Sequence, residues 1–377
     1  MMASPGPHPV GPDERCSTHD TAPWAVVGVV TGEQAARRPL HPAARIENAV
    51  HALVGRRLRS RGWRPAVVPY TGYGTGGWVR VLARVMLQPP GTPAARAEDP
   101  RGWRAFLASS SGSVDVRVRV GGRTHVVTTL RDGYVDVRLP SELPAGWATA
   151  ELSVDGSPSV EAPLRIVGDQ PGLGLLSDID DTVIVTMLPR PLRAFWNAFV
   201  VRASERRPVP GMAELYRQIQ DTHQDVVTVY LSTGAWNTAP AIRRFLDRHG
   251  YPAGPLLMTD WGPTRDRWFR SGSDHKRTEL ARLMRELPQL RWLLVGDDGQ
   301  HDPTLYAEAA AAFPDAVVGV AIRQLSTSEQ VLTHGSPVPK DAGAAGGPSA
   351  ADQVHAPDGF ALASALRRRG LVLGGKS

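Results

Sequence analysis

The chain has 377 residues, more than one ordinary domain, and its 42% hydrophobic against 21% charged residues exclude a wholly disordered polymer. A formal charge of +6 and a pI near 9.8 favour anionic partners, but of the 43 basic residues only Lys276, Lys340 and Lys376 are lysine, a skew that codon bias alone would produce. The lone Cys16 excludes an internal disulfide and a cysteine-based zinc cage, and no apolar run reaches the length of a membrane span.

Residues 1–40 are rich in Pro, Gly and small polar residues and are expected to be disordered. Pro5, Pro7, Pro9 and Asp13-Glu14 precede any apolar stretch, which is not the layout of a signal peptide, so a cytoplasmic protein is expected. Over 41–62, Ile46, Val50, Leu53, Val54 and Leu58 recur at helical spacing with Arg45, Arg56, Arg57, Arg59 and Arg61 around them. Such a basic amphipathic helix can lie on an anionic membrane or pack against a neighbouring domain.

Residues 63–170 alternate apolar and polar, as in Trp78–Val85 and Val114–Val120. Gly121-Gly122 separates the second run from another and predicts a tight hairpin. Further strands fit 134–139, 148–154 and 162–167, and the regular spacing predicts a small antiparallel β-sandwich. Gly72-Tyr73-Gly74-Thr75-Gly76-Gly77 satisfies the dinucleotide fingerprint on paper. It runs into strand-like sequence rather than opening a helix, and reads better as a glycine-rich bend.

From about 171 to 330 apolar strands (174–179, 226–231, 256–258, 292–295, 316–322) alternate with helical patterns (211–222, 238–249, 275–287, 304–313). This predicts an α/β fold with a doubly wound parallel sheet. A linker over 331–355 leads to a C-terminal amphipathic segment, 356–377, expected to dock on the core.

Parallel sheets place their sites beyond the carboxyl ends of the strands. There stand Asp178-Ile179-Asp180-Asp181-Thr182, Ser232-Thr233-Gly234, and Asp297-Asp298-Gly299-Gln300-His301-Asp302. Aspartates after strands often serve as turn formers and caps. Two clusters converging with a hydroxyl between them fit a cation site better, because gathered carboxylates repel. Oxygen-only donors point to a hard ion such as Mg²⁺, and Mg²⁺ with carboxylates points to phosphoryl transfer. Lys276, the one lysine before the C-terminal linker, supplies a compact charge for a phosphate; it is expected at the start of a helix.

The strings Ser177–Val183, Leu231–Asn237, Thr259–Gly262 and Gly296–Asp302, with Lys276, resemble the haloacid dehalogenase superfamily and, within it, the catalytic domain of the actin-patch-type phosphatidate phosphatases. The resemblance implies that Asp178 is the nucleophile and Asp180 the general acid and base. It implies that Ser232, the Thr233 and Gly234 backbone and Lys276 bind phosphate. Mg²⁺ would be held by Asp178, the Asp180 carbonyl and Asp297, with Asp302 or Asp298 in support. Asp181 stands where many superfamily members carry glycine, and a cap or supporting contact is expected of it.

Only about 184–209 is left for a flap, so the site should be open to a bulky substrate such as a lipid headgroup. Leu192, Phe195, Trp196, Phe199 and Val200, with Arg190, Arg193 and Arg202, could dip into an anionic bilayer or pack on the core. Phosphatidate hydrolysis with peripheral membrane contact is the leading expectation, and no nucleic-acid partner is expected. Two readings stay open beside it: the same mechanism on a phosphorylated protein, nucleic-acid end or soluble ester, and an inactive membrane-binding or scaffold module. The sequence does not give the oligomeric state.

Overall fold

The computed structural model describes residues 55–91, 113–130, 133–185, 206–259, 268–299, 301–327, 329–330 and 353–372. The expected disordered segment 1–40, most of the basic helix and flap residues 186–205 lie outside these; of the helix, 55–60 is described and is helical.

Seven strands form the first sheet: β1 (Arg64–Thr75), β2 (Trp78–Gln88), β3 (Asp115–Val120), β4 (Arg123–Thr128), β5 (Tyr134–Pro140), β6 (Gly146–Ser153) and β7 (Val160–Val167). β3 shows why the alternation reads as a strand: Val116, Val118 and Val120 are buried and their neighbours exposed. The Gly121-Gly122 hairpin forms as expected, with both glycines at positive φ. The sandwich is corrected. The strands make one sheet, in the order β4-β3-β6-β7-β1-β2-β5, with β1 parallel to β7. Its edge strands β4 and β5 approach each other, so the sheet curls toward a barrel around a core of its own. The glycine string belongs to β1 and its turn into β2, where a Cβ on Gly72 or Gly74 would strike the backbone of β2.

The second sheet is parallel throughout and holds β8 (Gly172–Asp178), β9 (Val227–Ala235), β10 (Leu256–Thr259), β11 (Leu290–Asp297), β12 (Val317–Arg323) and β13 (Gln353–Ala356). Its order, β10-β9-β8-β11-β12-β13, is the doubly wound one. The helices are α1 (Met212–Thr222), α2 (Ala239–Arg248), α3 (Trp268–Glu286), α4 (Asp302–Ala312) and α5 (Gly359–Arg368). Right-handed crossovers put α1 and α2 on one face and α3 and α4 on the other, and α5 packs on α1.

Two expectations shift here. The end of the expected linker 331–355 pairs into the sheet as edge strand β13 before the C-terminal segment becomes a helix, and residues 331–352 lie outside the described ones. Helix α3 begins well before residue 275, so Lys276 stands within the helix rather than at its start. No described helix is long and apolar enough to cross a membrane.

The direction in which successive strands are added reverses between the parallel neighbours β8 and β11, which places the ends of these two strands, Asp178 and Asp297, side by side at the switch point. Gly174 pairs with Trp292 across this seam, and the fully buried indole fills the space above it. A Cβ at position 174 would stand 2.7 Å from Trp292 Cδ2. Gly174→Ala is therefore expected to cost about 1–3 kcal/mol through overpacking, read as a lower midpoint in thermal unfolding. Adding Trp292→Phe should recover part of that loss, so the double mutant will be less destabilised than the sum of the singles.

Candidate active site

Asp178 closes β8, with its side chain almost wholly buried. Lys276 reaches it from α3, placing Nζ 2.6 Å from Asp178 Oδ1 and 2.7 Å from Asp302 Oδ1. Asp302 opens α4 and Asp297 closes β11, and both are fully buried. Asp178, Asp297 and Asp302 each offer an oxygen within 4.8 Å of the others. Gly296 permits this, since a Cβ there would meet Asp302 Oδ2 at 2.6 Å.

Burial is the chief influence on these carboxyls. It raises the pKa of Asp178 to about 8 against the pull of Lys276, with Asp302 and Asp180 adding to the rise. The pKa of Asp297 is raised further, by burial first and then by Asp302 and Asp178. Lys276 is held as a firm cation: burial opposes its charge, but two carboxylates in contact prevail. Three carboxylates against one ammonium leave a net negative hole. Asp302 Oδ2, buried, has no hydrogen-bond partner among the described residues. An all-oxygen donor set with one orphaned oxygen and a surplus of negative charge fits a hard divalent cation.

Asp180 lies outside that triad. Its Oδ2 accepts a hydrogen bond from Ser232 Oγ at 3.3 Å, and Ser232 Oγ accepts one from the Gly234 N–H at 2.9 Å. The Ser232–Gly234 end of β9 is tied down by Thr259, whose hydroxyl donates to the carbonyls of Thr233 (2.8 Å) and Gly234 (3.1 Å). The expected residues Asp178, Asp180, Ser232, Lys276, Asp297 and Asp302 thus come to one rim.

Asp298 is turned elsewhere. Its Oδ1 accepts from the Leu325 N–H at 2.7 Å, so of the two candidates for metal support the acidic group contains Asp302 and not Asp298. Asp181 lies in the loop after β8. Its φ of 59° is the left-handed conformation that glycine takes most readily and Asp tolerates, which accounts for either residue there.

Two residues carry no assigned role in the sequence reading, although Thr182 belongs to its first acidic string. The Thr182 hydroxyl lies 3.4 Å from Asp178 Oδ2 and 3.5 Å from Asp297 Oδ2, between the two strand ends. Its position four residues after Asp178 was the available signal. Arg206, at the return of the flap, has its pKa lowered by burial while Asp180 and Asp181 pull the other way, which sets its charge beside the acidic loop. The flap base is pinned by Val185 N–H to the Arg207 carbonyl (3.0 Å) and Val209 N–H to the Val183 carbonyl (3.0 Å).

Residues 173–324 match the family model described as phosphatidate phosphatase APP1, catalytic domain. Phosphatidate phosphatase APP1 of Saccharomyces cerevisiae is 27% identical over 158 residues, covering 42% of this chain and 27% of that protein. An uncharacterized protein of Schizosaccharomyces pombe is 25% identical over 158 residues, covering 42% and 26%. The chain therefore spans about a quarter of the length of these relatives. Among solved structures, the HAD domain of effector protein Lem4 from Legionella pneumophila aligns over 41% of this chain and 86% of its own, at 12% identity and a TM-score of 0.27, too weak a likeness to argue from. By its sequence, the segment 173–324 is similar to the catalytic domain of phosphatidate phosphatase APP1.

Proposed function

We propose that this chain is a Mg²⁺-dependent phosphatase that hydrolyses a phosphomonoester through an aspartyl-phosphate, with phosphatidate as substrate and diacylglycerol as product. The observation that carries the reading is the Lys276 ammonium held between Asp178 and Asp302 inside a buried acidic triad. The similarity of residues 173–324 to that catalytic domain supports the lipid substrate.

Asp178 attacks phosphorus with a carboxylate oxygen, and the bond to the leaving alkoxide breaks as Asp180 delivers a proton to it. Asp180, now a carboxylate, takes a proton from a water. That water attacks the aspartyl-phosphate, releasing inorganic phosphate and restoring Asp178. Ser232 already contacts the Asp180 carboxylate and is placed to turn its hydroxyl to a phosphoryl oxygen. The Thr233 and Gly234 backbone lies at the same strand end, and Lys276 steadies both nucleophile and phosphate. Mg²⁺, held by Asp178, Asp297 and Asp302 with the Asp180 carbonyl, would neutralise charge on the transferring phosphoryl group. The protein works from the aqueous side, at the surface of an anionic membrane.

The direct test is phosphate release from phosphatidate micelles and from a soluble aryl phosphate, with and without Mg²⁺. Wild type is expected to act on the lipid in Mg²⁺ alone, Asp178→Asn to show no turnover, and Asp180→Asn to lose roughly 10²- to 10⁴-fold in kcat. Turnover of the aryl phosphate alone would remove the lipid assignment, and full activity of Asp178→Asn would remove the mechanism.

Proton linkage gives a second test. Folding raises the Asp178 pKa from 3.8 to about 8, so the folded state binds more protons than the unfolded chain between those values. Without metal, stability should fall as pH rises through that window. Mg²⁺ should reverse the trend, because binding requires the deprotonated carboxylates. Thermal midpoints at about pH 5 and about pH 8, in EDTA and in Mg²⁺, measure this, and Asp178→Asn should flatten the EDTA slope.

A further inference from the structure

We propose that the cleft between the seven-stranded sheet and the α/β core receives a neutral acyl-ester leg of the lipid substrate. This rests on the lipid reading above and assigns a place to the part of the substrate that does not react. The cleft encloses about 450 Å³, within the range of small-molecule sites. Both units supply its apolar surface: Tyr70, Leu82 and Tyr134 from one, Trp236, Leu257 and Met258 from the other. Tyr70 stacks on Trp236 at 4.6 Å between ring centroids, and Tyr134 lies 6.3 Å from the same indole. The result is a preformed aromatic wall.

The charged residues of the cleft are spent on one another. Arg80 binds Asp136 at 2.6 Å and Glu279 at 2.9 Å, Arg282 binds Glu279 at 3.0 Å, and Asp274 binds Arg277 at 3.3 Å. A charged ligand would compete with these pairs, which favours a neutral occupant.

One polar atom is left over. His275 lines the cleft, and its Nε2 is buried with no hydrogen-bond partner among the described residues. Burial lowers the His275 pKa; Glu279 opposes this, while Arg80, Arg282 and Lys276 act with burial, so the ring is held neutral and can donate one N–H. An apolar body carrying a carbonyl acceptor, the make-up of a fatty-acyl ester, satisfies both walls and histidine.

The cleft also adjoins the chemistry. His275 precedes Lys276, and Trp236 directly follows β9, whose last residues include Ser232–Gly234. Met258 Cε lies 3.3 Å from where a Gly234 Cβ would stand.

The test titrates 1,2-dihexanoylglycerol, which carries no phosphate, into the full chain by calorimetry. The two variants, Leu130→Trp and Thr278→Trp, each narrow the rim from a partly or fully exposed position. Wild type is expected to bind and each variant to bind at least tenfold more weakly. KM for dihexanoyl phosphatidate should rise at least tenfold in both, with aryl phosphate turnover unchanged. Absence of binding by wild type, equal binding by both variants, or a parallel loss of aryl phosphate turnover would overturn the proposal. If wild type releases no phosphate from any substrate, the phosphatase reading fails by itself, and the neutral-lipid titration still decides the cleft.

Discussion

The site depends on one buried ammonium. Lys276 Nζ lies within 2.7 Å of two carboxylates that arrive on different elements, Asp178 at the end of β8 and Asp302 at the start of α4. Stripping such ions of water costs several kcal/mol each, and mutual attraction offsets this only where the geometry is tight. The choice of lysine in an arginine-rich chain follows. A compact ammonium can point separate donors at two carboxylates, whereas a planar guanidinium is suited to gripping one of them side-on. Even so, one positive charge cannot balance Asp178, Asp297 and Asp302 together; burial first, and the neighbouring carboxylates after it, raise the proton affinities of Asp178 and Asp297. The triad must hold protons or a cation, and the same imbalance that costs stability supplies affinity for a divalent ion.

Helix α3 has to be fixed for that lysine to be placed, and the seven-stranded sheet takes part in fixing it. Arg80 on β2, almost wholly buried, reaches Glu279, which follows Lys276 by about one turn of α3. Tyr73 on β1 donates to Glu286 at 2.6 Å further along the helix and accepts from Arg80 at 3.0 Å. Asp136 on β5 completes the Arg80 environment. Removing one member of such a network strands a buried charge, a loss of about 3–5 kcal/mol in comparable cases. The β-rich unit is thus built into the framework of the site rather than appended to it.

The positions of the candidate site residues were legible because strand ends announce themselves. An apolar run that stops at Asp178, Ser232 or Asp297 marks a parallel strand and the residue placed beyond it, and all three stand where that pattern sets them. Side-chain direction was not legible. Asp298 and Asp302 are equally acidic and nearly adjacent, yet one bonds the Leu325 N–H while the other opens a helix and meets Lys276. The curl of the first sheet escaped for a related reason. Alternation gives a strand's buried face but not its neighbours, and the parallel pairing of β1 with β7 joins segments some ninety residues apart. Strand β13 was hidden by its brevity, since Gln353–Ala356 is too short for any periodicity to show.

That last strand bears on the acidic loop. β13 pairs with β12, whose terminal residue Arg323 is buried and binds three ways: Nη1 to the Asp181 carbonyl at 2.7 Å, Nη2 to Glu329 at 2.6 Å and Nε to the Pro357 carbonyl at 3.3 Å. Asp181 sits in the left-handed conformation directly after Asp180, and a non-glycine residue stays there only where its surroundings hold it. Arg323 supplies part of that hold, and its own position depends on Pro357 just beyond β13. Gly359 N–H then bonds the Pro210 carbonyl at 2.9 Å, joining the C-terminal segment to the end of the flap. The last described stretch of the chain therefore braces the first acidic loop and the flap's return together, far in sequence from either.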